Sequence, residues 1–238
     1  MIIWSLVLLL CSCSIWINEN IKKEEVEKNN KLEKFLQEKK KKEREFINSL
    51  DLVIDSSITK YVDNKISFNK KDYIPNNLVD LKWEFLIDFK GNQKVKKITL
   101  ENLEKLSSDF YNTFWKKLKI VSAYRSYKYQ KRIKDWGCSD IFCAKAGYSE
   151  HQSGLAVDFW EASEKNRFEK DLVLKSYFEW MKDNAYKYGF ENSYQNWVEI
   201  DWYEIEPWHW RYVWKDLAKI LHKQKITFAQ YYYKNIKK

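Results

Sequence analysis

At 238 residues, 45% hydrophobic and 17% aromatic, the chain can bury a core as one sizeable domain or one domain with appendages, which excludes a chain too polar to fold. A formal net charge of +9 favours anionic surroundings: nucleic acid, an acidic membrane face or an anionic wall polymer. No RNP-type run, zinc-finger spacing or basic heptad helix accompanies that charge, so nucleic acid is not an expected partner.

Met1 to Ile17 is almost wholly apolar and gives way to a charged run, the length and flank of a secretory signal core and short of the ~20 residues a membrane span needs. Export is the expectation, with an uncleaved membrane anchor as the alternative. Within the segment, Leu10 to Cys13 resembles a loose lipoprotein box in which Cys13 would carry the lipid. Lys22 to Arg44 is rich in Lys and Glu, with apolar residues at Leu32, Phe35 and Leu36 and then Phe46, Ile47 and Leu50. Spacings of three and four predict a solvated helix, either a stalk or a helix lying on the main domain. Three segments follow: an address over 1–17, a charged helical stalk over 18–60 and a main domain over 61–238.

Asp72 to Leu81 carries one of two prolines followed by Asn-Asn and marks the entrance to that domain by its turn chemistry. Glu101 to Lys117 has the helical period, Leu118 to Tyr124 reads as a strand, and Ser126 to Gly137 returns to a helix with Gly137 as C-cap. Cys138 to Glu150 lacks a period and reads as a loop; its C-x4-C pair is either a loop-closing disulfide or two free thiols. Leu155 to Trp160 is a strand, Phe168 to Tyr188 a helix ended by Gly189, Trp197 to Ile205 an alternating strand, and Asp216 to Lys223 a closing helix. Strands and helices mixed without βαβ alternation predict an α+β fold. Ser57 to Lys60 fits S-x-x-K, but with no SDN or KTG elsewhere it is a chance match.

The chain has only three histidines. His151 and Asp158, seven apart, would face opposite ways on a straight strand, but Gly154 between them permits a turn. Glu206 and His209, three apart, have Pro207 where the strand must bend. If both pairs converge, two imidazoles and a carboxylate make a three-ligand set that suits Zn²⁺ and leaves a fourth position for water, with Glu206 as a free base. Spacing alone leaves hydrogen-bonded core histidines as the competing outcome. No HExxH helix is present.

Four stretches in order, Ser122 to Gln130, Ser149 to Trp160, Asn184 to Phe190 and Glu206 to Val213, resemble the VanY-type D-alanyl-D-alanine carboxypeptidases, zinc metallopeptidases related to lysostaphin-type enzymes and the hedgehog domain. The resemblance covers the chain from about Tyr61 onward. It implies a hedgehog/DD-peptidase-like fold in which a small antiparallel sheet flanked by helices carries one zinc ion on His151, Asp158 and His209. It further implies Glu206 as catalytic base, Arg125 gripping the substrate's terminal carboxylate, and Gln130 and Ser149 contacting the substrate. The implied activity is removal of the terminal D-alanine from peptidoglycan stem peptides in the bacterial cell envelope, periplasm or outer face of the membrane, with the N-terminal segment as anchor. The alternatives are an L,D-carboxypeptidase on tetrapeptide stems and a non-catalytic zinc-containing wall-binding module. The chain departs from the family pattern between Phe190 and Glu206, where Glu199, Asp201, Glu204 and Glu206 cluster in sequence; this predicts either a preference for a cationic penultimate side chain or simply a solvated strand face.

Overall fold

The computed structural model describes residues 2–160 and 167–235. Helix α1 (Ile2–Ser49) runs without a break past the expected boundary at residue 17. Its apolar positions Val26, Leu32 and Phe35 are exposed, and its ion pairs are of the i,i+4 kind, such as Lys42 with Glu38 at 3.1 Å. The side chain of Cys13 lies outside the described residues. Among the described residues no helix is long and apolar enough to cross a membrane.

The chain divides into two compact units, Met1–Leu50 and Asp51–Lys238. The second begins at Asp51 rather than at residue 61 because Asp51 to Lys60 is tied into it. Lys60 is buried, its Nζ donating to the Val53 carbonyl (2.9 Å) and facing Asp55 (3.4 Å), while the backbone N–H groups of Asn69 and Lys70 donate to Asp55.

The second unit is built on five strands in the order β2 (Leu86–Asp88), β4 (Leu118–Ser122), β5 (Ala156–Phe159), β7 (His209–Tyr212) and β6 (Phe190–Asn192). All neighbours are antiparallel except β2 and β4, so the expected antiparallel sheet has one parallel edge. A separate antiparallel pair, β1 (Leu78–Asp80) with β3 (Lys94–Lys96), leads into α2 (Lys97–Phe114). That helix buries Leu103, Leu106 and Phe110, the apolar set its period predicts, against Leu118, Ile120, Val157 and Phe159 of the sheet. Helix α3 (Tyr127–Asp135) starts at Ser126, whose hydroxyl accepts from the Tyr129 N–H (3.2 Å).

Two expected elements differ. The helix expected over Phe168 to Tyr188 is divided into α4 (Arg167–Lys170), α5 (Leu172–Asn184) and a 3₁₀ turn (Ala185–Tyr188), because Asp171 accepts from the N–H groups of Val173 and Leu174 and so caps a new helix start. The strand expected over Trp197 to Ile205 is instead α6 (Val198–Asp201) and its flanking turns. There one buried carboxylate, Asp201, accepts from the N–H groups of Gln195 and Asn196 and from the Thr227 hydroxyl, curling the chain around itself. After α7 (Lys215–Gln224) comes a helix the sequence did not announce, α8 (Phe228–Asn235), which packs through Tyr232 stacked on Tyr61 (4.0 Å between ring centres) and through Phe228 set edge-on to it.

Gly154 joins the 3₁₀ turn Glu150–Ser153 to β5 with φ +70°, and a Cβ there would lie 2.9 Å from Leu78 Cδ2 and 3.2 Å from the Lys96 backbone nitrogen. Gly154→Ala is expected to lower stability by about 1–3 kcal/mol, read as a fall in the urea midpoint with the slope unchanged.

Candidate metal and peptide site

Asp158 and His209 are register partners on β5 and β7. Alternation then places Asp158, His209 and Arg211 on one face of the sheet and Val157, Trp210 and Tyr212 on the other, in the core. His151 reaches the same spot from the 3₁₀ turn, because the left-handed backbone at Gly154 reverses the chain between them. Ligand atoms of His151, Asp158 and His209 all lie within 4.8 Å of one another, and all three side chains are buried.

The ring orientations follow from their partners. His151 Nδ1 lies 2.7 Å from the Ala123 carbonyl, which can only accept, so Nδ1 carries the hydrogen and Nε2 presents its lone pair. That Nε2 is buried with no hydrogen-bond partner, 3.2 Å from Asp158 Oδ1. His209 turns Nδ1 to Asp158 Oδ1 (3.0 Å) and Nε2 to Glu150 Oε2 (2.9 Å). An orphaned imidazole nitrogen, a second imidazole and a carboxylate oxygen are the nitrogen and oxygen donors a zinc ion takes, and the residues fit that ion.

The electrostatics of His151, Asp158 and Glu150 point the same way, whereas His209 must give up a proton to become a ligand. Burial, together with the positive charge of Arg125, holds the His151 ring down at about 4, in the neutral form a ligand requires. Burial works against the charged form of His209, but hydrogen bonds to Asp158 and Glu150 hold it up at about 10. Asp158 is likewise penalised by burial, yet His151 and His209 keep it ionised far below the usual carboxylate range. Glu150, buried as well, is held at about 2 by Arg211 and His209. Two anionic carboxylates thus face the ligand cluster, which suits a cation.

Beyond the ligands, His151 and His209 share a pocket with Arg125, Ser149, Glu206, Tyr194, Tyr203 and the loop residues Phe142 to Ala144. Glu206 lies 3.8 Å from His209 Nδ1 and is half-buried; its desolvation, reinforced by the charge of Asp158 and opposed by His209 and Arg125, raises its carboxyl to about 8. Its position is set by the turn at Pro207: Glu206 N–H donates to Tyr194 O (3.0 Å), and Asn192 Nδ2 donates to the carbonyls of both Glu206 and His209 (2.7 Å each). Arg125 directly follows the segment that leaves β4, and its Nε is buried without a partner. Cys138 and Cys143 are joined in a disulfide, which closes the loop bearing Phe142 and Cys143 on the pocket wall.

Six of the seven expected site residues converge, and Gln130 stands apart. Its Nε2 donates to the Ala144 carbonyl (2.7 Å), so it braces the pocket wall from behind and does not line the pocket. The acidic run after Phe190 does not form a cluster, since Asp201 is buried in its own hydrogen-bond set and Glu206 alone of the four carboxylates lines the pocket.

The expectation missed the support behind His209. Arg211 Nη1 donates to Glu150 Oε1 (2.7 Å), Arg211 Nη2 donates to the Lys60 carbonyl, Ser193 Oγ donates to Glu150 Oε2 (2.8 Å), and Glu150 in turn holds His209 Nε2. Tyr194 stacks on the His209 ring at 4.6 Å. The available signal was period-two alternation: Arg211 sits two residues after His209 and must share its face.

Residues 92–215 match the family model described as VanY: D-alanyl-D-alanine carboxypeptidase. The chain is 37% identical over 173 residues to the Bacillus subtilis (strain 168) protein YodJ, covering 68% of this chain and 63% of that one. It is 32% identical over 114 residues to a D-alanyl-D-alanine carboxypeptidase of Enterococcus faecium, covering 47% and 35%. Among solved structures, the LdcB LD-carboxypeptidase superposes with a TM-score of 0.63 at 30% identity, covering 76% of this chain and 88% of that one. The chain thus spans less than two thirds of the length of these two curated relatives.

Glu150→Gln keeps the shape but removes the charge that orients His209. Zinc affinity, measured by competition with a chromophoric chelator, is expected to fall about tenfold to hundredfold with the fold intact by circular dichroism.

Proposed function

The chain belongs to the VanY D-alanyl-D-alanine carboxypeptidase family, with its hedgehog/DD-peptidase-like α+β fold, and from that membership we propose that it is a zinc-dependent carboxypeptidase that removes the terminal D-alanine from peptidoglycan stem peptides. One observation carries this: a guanidinium with an unsatisfied buried nitrogen, Arg125, and a carboxylate outside the ligand set, Glu206, line one pocket with both metal-facing histidines. A site that held zinc only for stability needs neither.

His151, Asp158 and His209 would hold the ion, which when bound supplies Lewis-acid polarisation of a carbonyl and lowers the pKa of water. Arg125 offers a planar fork of donors that matches a carboxylate and so selects a free peptide C-terminus over an internal bond. Glu206, beside His209 and with its carboxyl raised by burial, takes a proton from the attacking water and returns it to the leaving amine. Ser149 lines the same wall within reach of the peptide. The disulfide loop and the Gln130 brace keep Phe142 to Ala144 in place against it. The apolar segment Met1 to Ile17 supports a location in the bacterial cell envelope, with that segment as leader or anchor and Cys13 as the lipid-bearing residue.

A second reading has its own support. The LdcB neighbour, whose 88% coverage is the fullest among the relatives named above, is an LD-carboxypeptidase, and the same clamp and base serve an L,D bond in a tetrapeptide stem. Incubating purified protein with pentapeptide and tetrapeptide stems, with and without chelator, and measuring free alanine by mass spectrometry separates the two. Release from the pentapeptide that chelator abolishes is expected; release from the tetrapeptide alone selects the second reading, and release that ignores chelator removes both.

Glu206→Gln is expected to keep zinc bound while kcat falls about 10²–10⁴-fold. Arg125→Lys keeps the charge and loses the fork, so kcat/KM should drop about tenfold or more on stem peptides. Replacing both Cys138 and Cys143 by serine loosens the pocket wall, and KM is expected to rise several-fold with kcat largely kept, as read by steady-state kinetics.

A further inference from the structure

Strand β2 is an edge of the main sheet, paired only with β4. Exposed edges ordinarily carry charge, a bulge or a cover, but here Ile87 and Phe89 are open to solvent, Phe89 by 60%. A separate group of rings lies at the start of β2 and the end of α2. Phe85 stacks on Tyr111 at 4.6 Å, with Trp83 beyond Phe85 at 6.3 Å and Trp115 beyond Tyr111 at 5.8 Å; Trp115 is 77% exposed. Ile87 pairs in register with Lys119, whose Nζ lies 4.4 Å from the centre of the Phe89 ring. By pleat alternation through Ile120 and Phe159, Ile87 and Lys119 lie on the sheet face that carries Asp158 and His209.

Lysines interleave with these apolar groups. Lys82 precedes Trp83, Lys90 follows Phe89, Lys116 and Lys117 follow Trp115, and Lys119 faces Ile87. Across Leu81 to Lys90 and Tyr111 to Ile120 the only acids are Glu84 and Asp88, and Asp88 is occupied by Gln93 and by the Lys90 N–H. The centre of a protein–protein interface is depleted in lysine, so this mixture is a poor fit to another protein. It fits a surface that is apolar just below a layer of negative charge, where rings settle at headgroup depth and lysine stems bend outward to phosphates.

We propose that the β2 edge of the sheet, together with the rings where β2 begins and α2 ends, docks on an anionic lipid bilayer. The contact needs only the exposed rings and their lysines and holds whichever peptide bond the pocket cleaves.

The test is hydrogen exchange by mass spectrometry on the full chain, with vesicles of phosphatidylcholine alone and of phosphatidylcholine and phosphatidylglycerol in equal parts. Reading the amides of Trp83 to Lys90 keeps the result separate from any binding by the apolar N-terminal segment. Exchange there is expected to slow about tenfold on the anionic vesicles and to stay unchanged on the neutral ones. Lys116→Glu together with Lys117→Glu should remove the protection. So should Trp115→Asn, a residue that suits the left-handed backbone at this helix end (φ 54°) and leaves the fold in place. Equal protection on both vesicles, or none on either, overturns the proposal. So does protection without lipid that grows with protein concentration, which is self-association, or protection by purified peptidoglycan in place of lipid.

Discussion

Asp158 and His209 face each other across adjacent antiparallel strands, and because side chains alternate, that single register decides which residues of β5 and β7 see the pocket and which see the core. A slip of one residue would send Val157 and Trp210 into the pocket and bury Asp158 and His209 in a wholly apolar core. The core residues on the opposite face, among them Phe159, Trp210 and Tyr212, therefore protect the site by fixing the pairing. His151 obeys the same constraint indirectly, since it can join Asp158 and His209 only if the chain reverses at Gly154 before β5 begins.

Burying that many charges in one place is expensive unless each has a partner. The chain arranges them in a row that runs from Arg211 to Glu150, from Glu150 to His209 and from His209 to Asp158, so every charge has its opposite next to it. Two of the buried polar atoms that lack a hydrogen-bond partner among the described residues sit at the site. His151 Nε2 and Arg125 Nε are buried without hydrogen-bond partners in the chain, one aimed at the ligand cluster and the other beside the peptide pocket. At these two positions a metal and a carboxylate would supply the missing partners. The same balance gives Glu206 its character: it lies 3.8 Å from His209, yet is desolvated enough that its proton affinity is raised.

The parts of this architecture that were legible in advance were those set by local chemistry. The period of Leu103, Leu106 and Phe110 gave α2; Ser126 and Gly137 bracketed α3; Gly154 and Pro207 marked the two bends on which the ligand set depends. What was not legible came from side chains that rewrite their local pattern by reaching elsewhere. Trp197 to Ile205 alternates like a strand, yet Asp201 collects partners from Gln195, Asn196 and the distant Thr227, and the segment coils. Asp171 looks like one more charged residue in a helical run until its carboxylate caps two N–H groups and starts a new helix. Gln130 lay within a stretch that resembled the substrate-contacting part of the family, and only the path of the Ala144 loop placed it behind the wall.

By itself the sequence determined which residue types could hold a metal, the carboxylate and guanidinium that accompany them, the turn residues that let them meet and the family to which they belong, because these are properties of residue identity and short spacing. Tertiary structure alone decided that Glu150, Arg211 and Asn192 stand behind His209, that Cys138 and Cys143 are bonded, and that Glu206 is held apart from the ligands in a pocket shared with Arg125. Those relations join side chains far apart in the chain, sixty-one residues in the pair Arg211 and Glu150. Their distances are fixed by strand register and core packing, which no local pattern in the chain encodes.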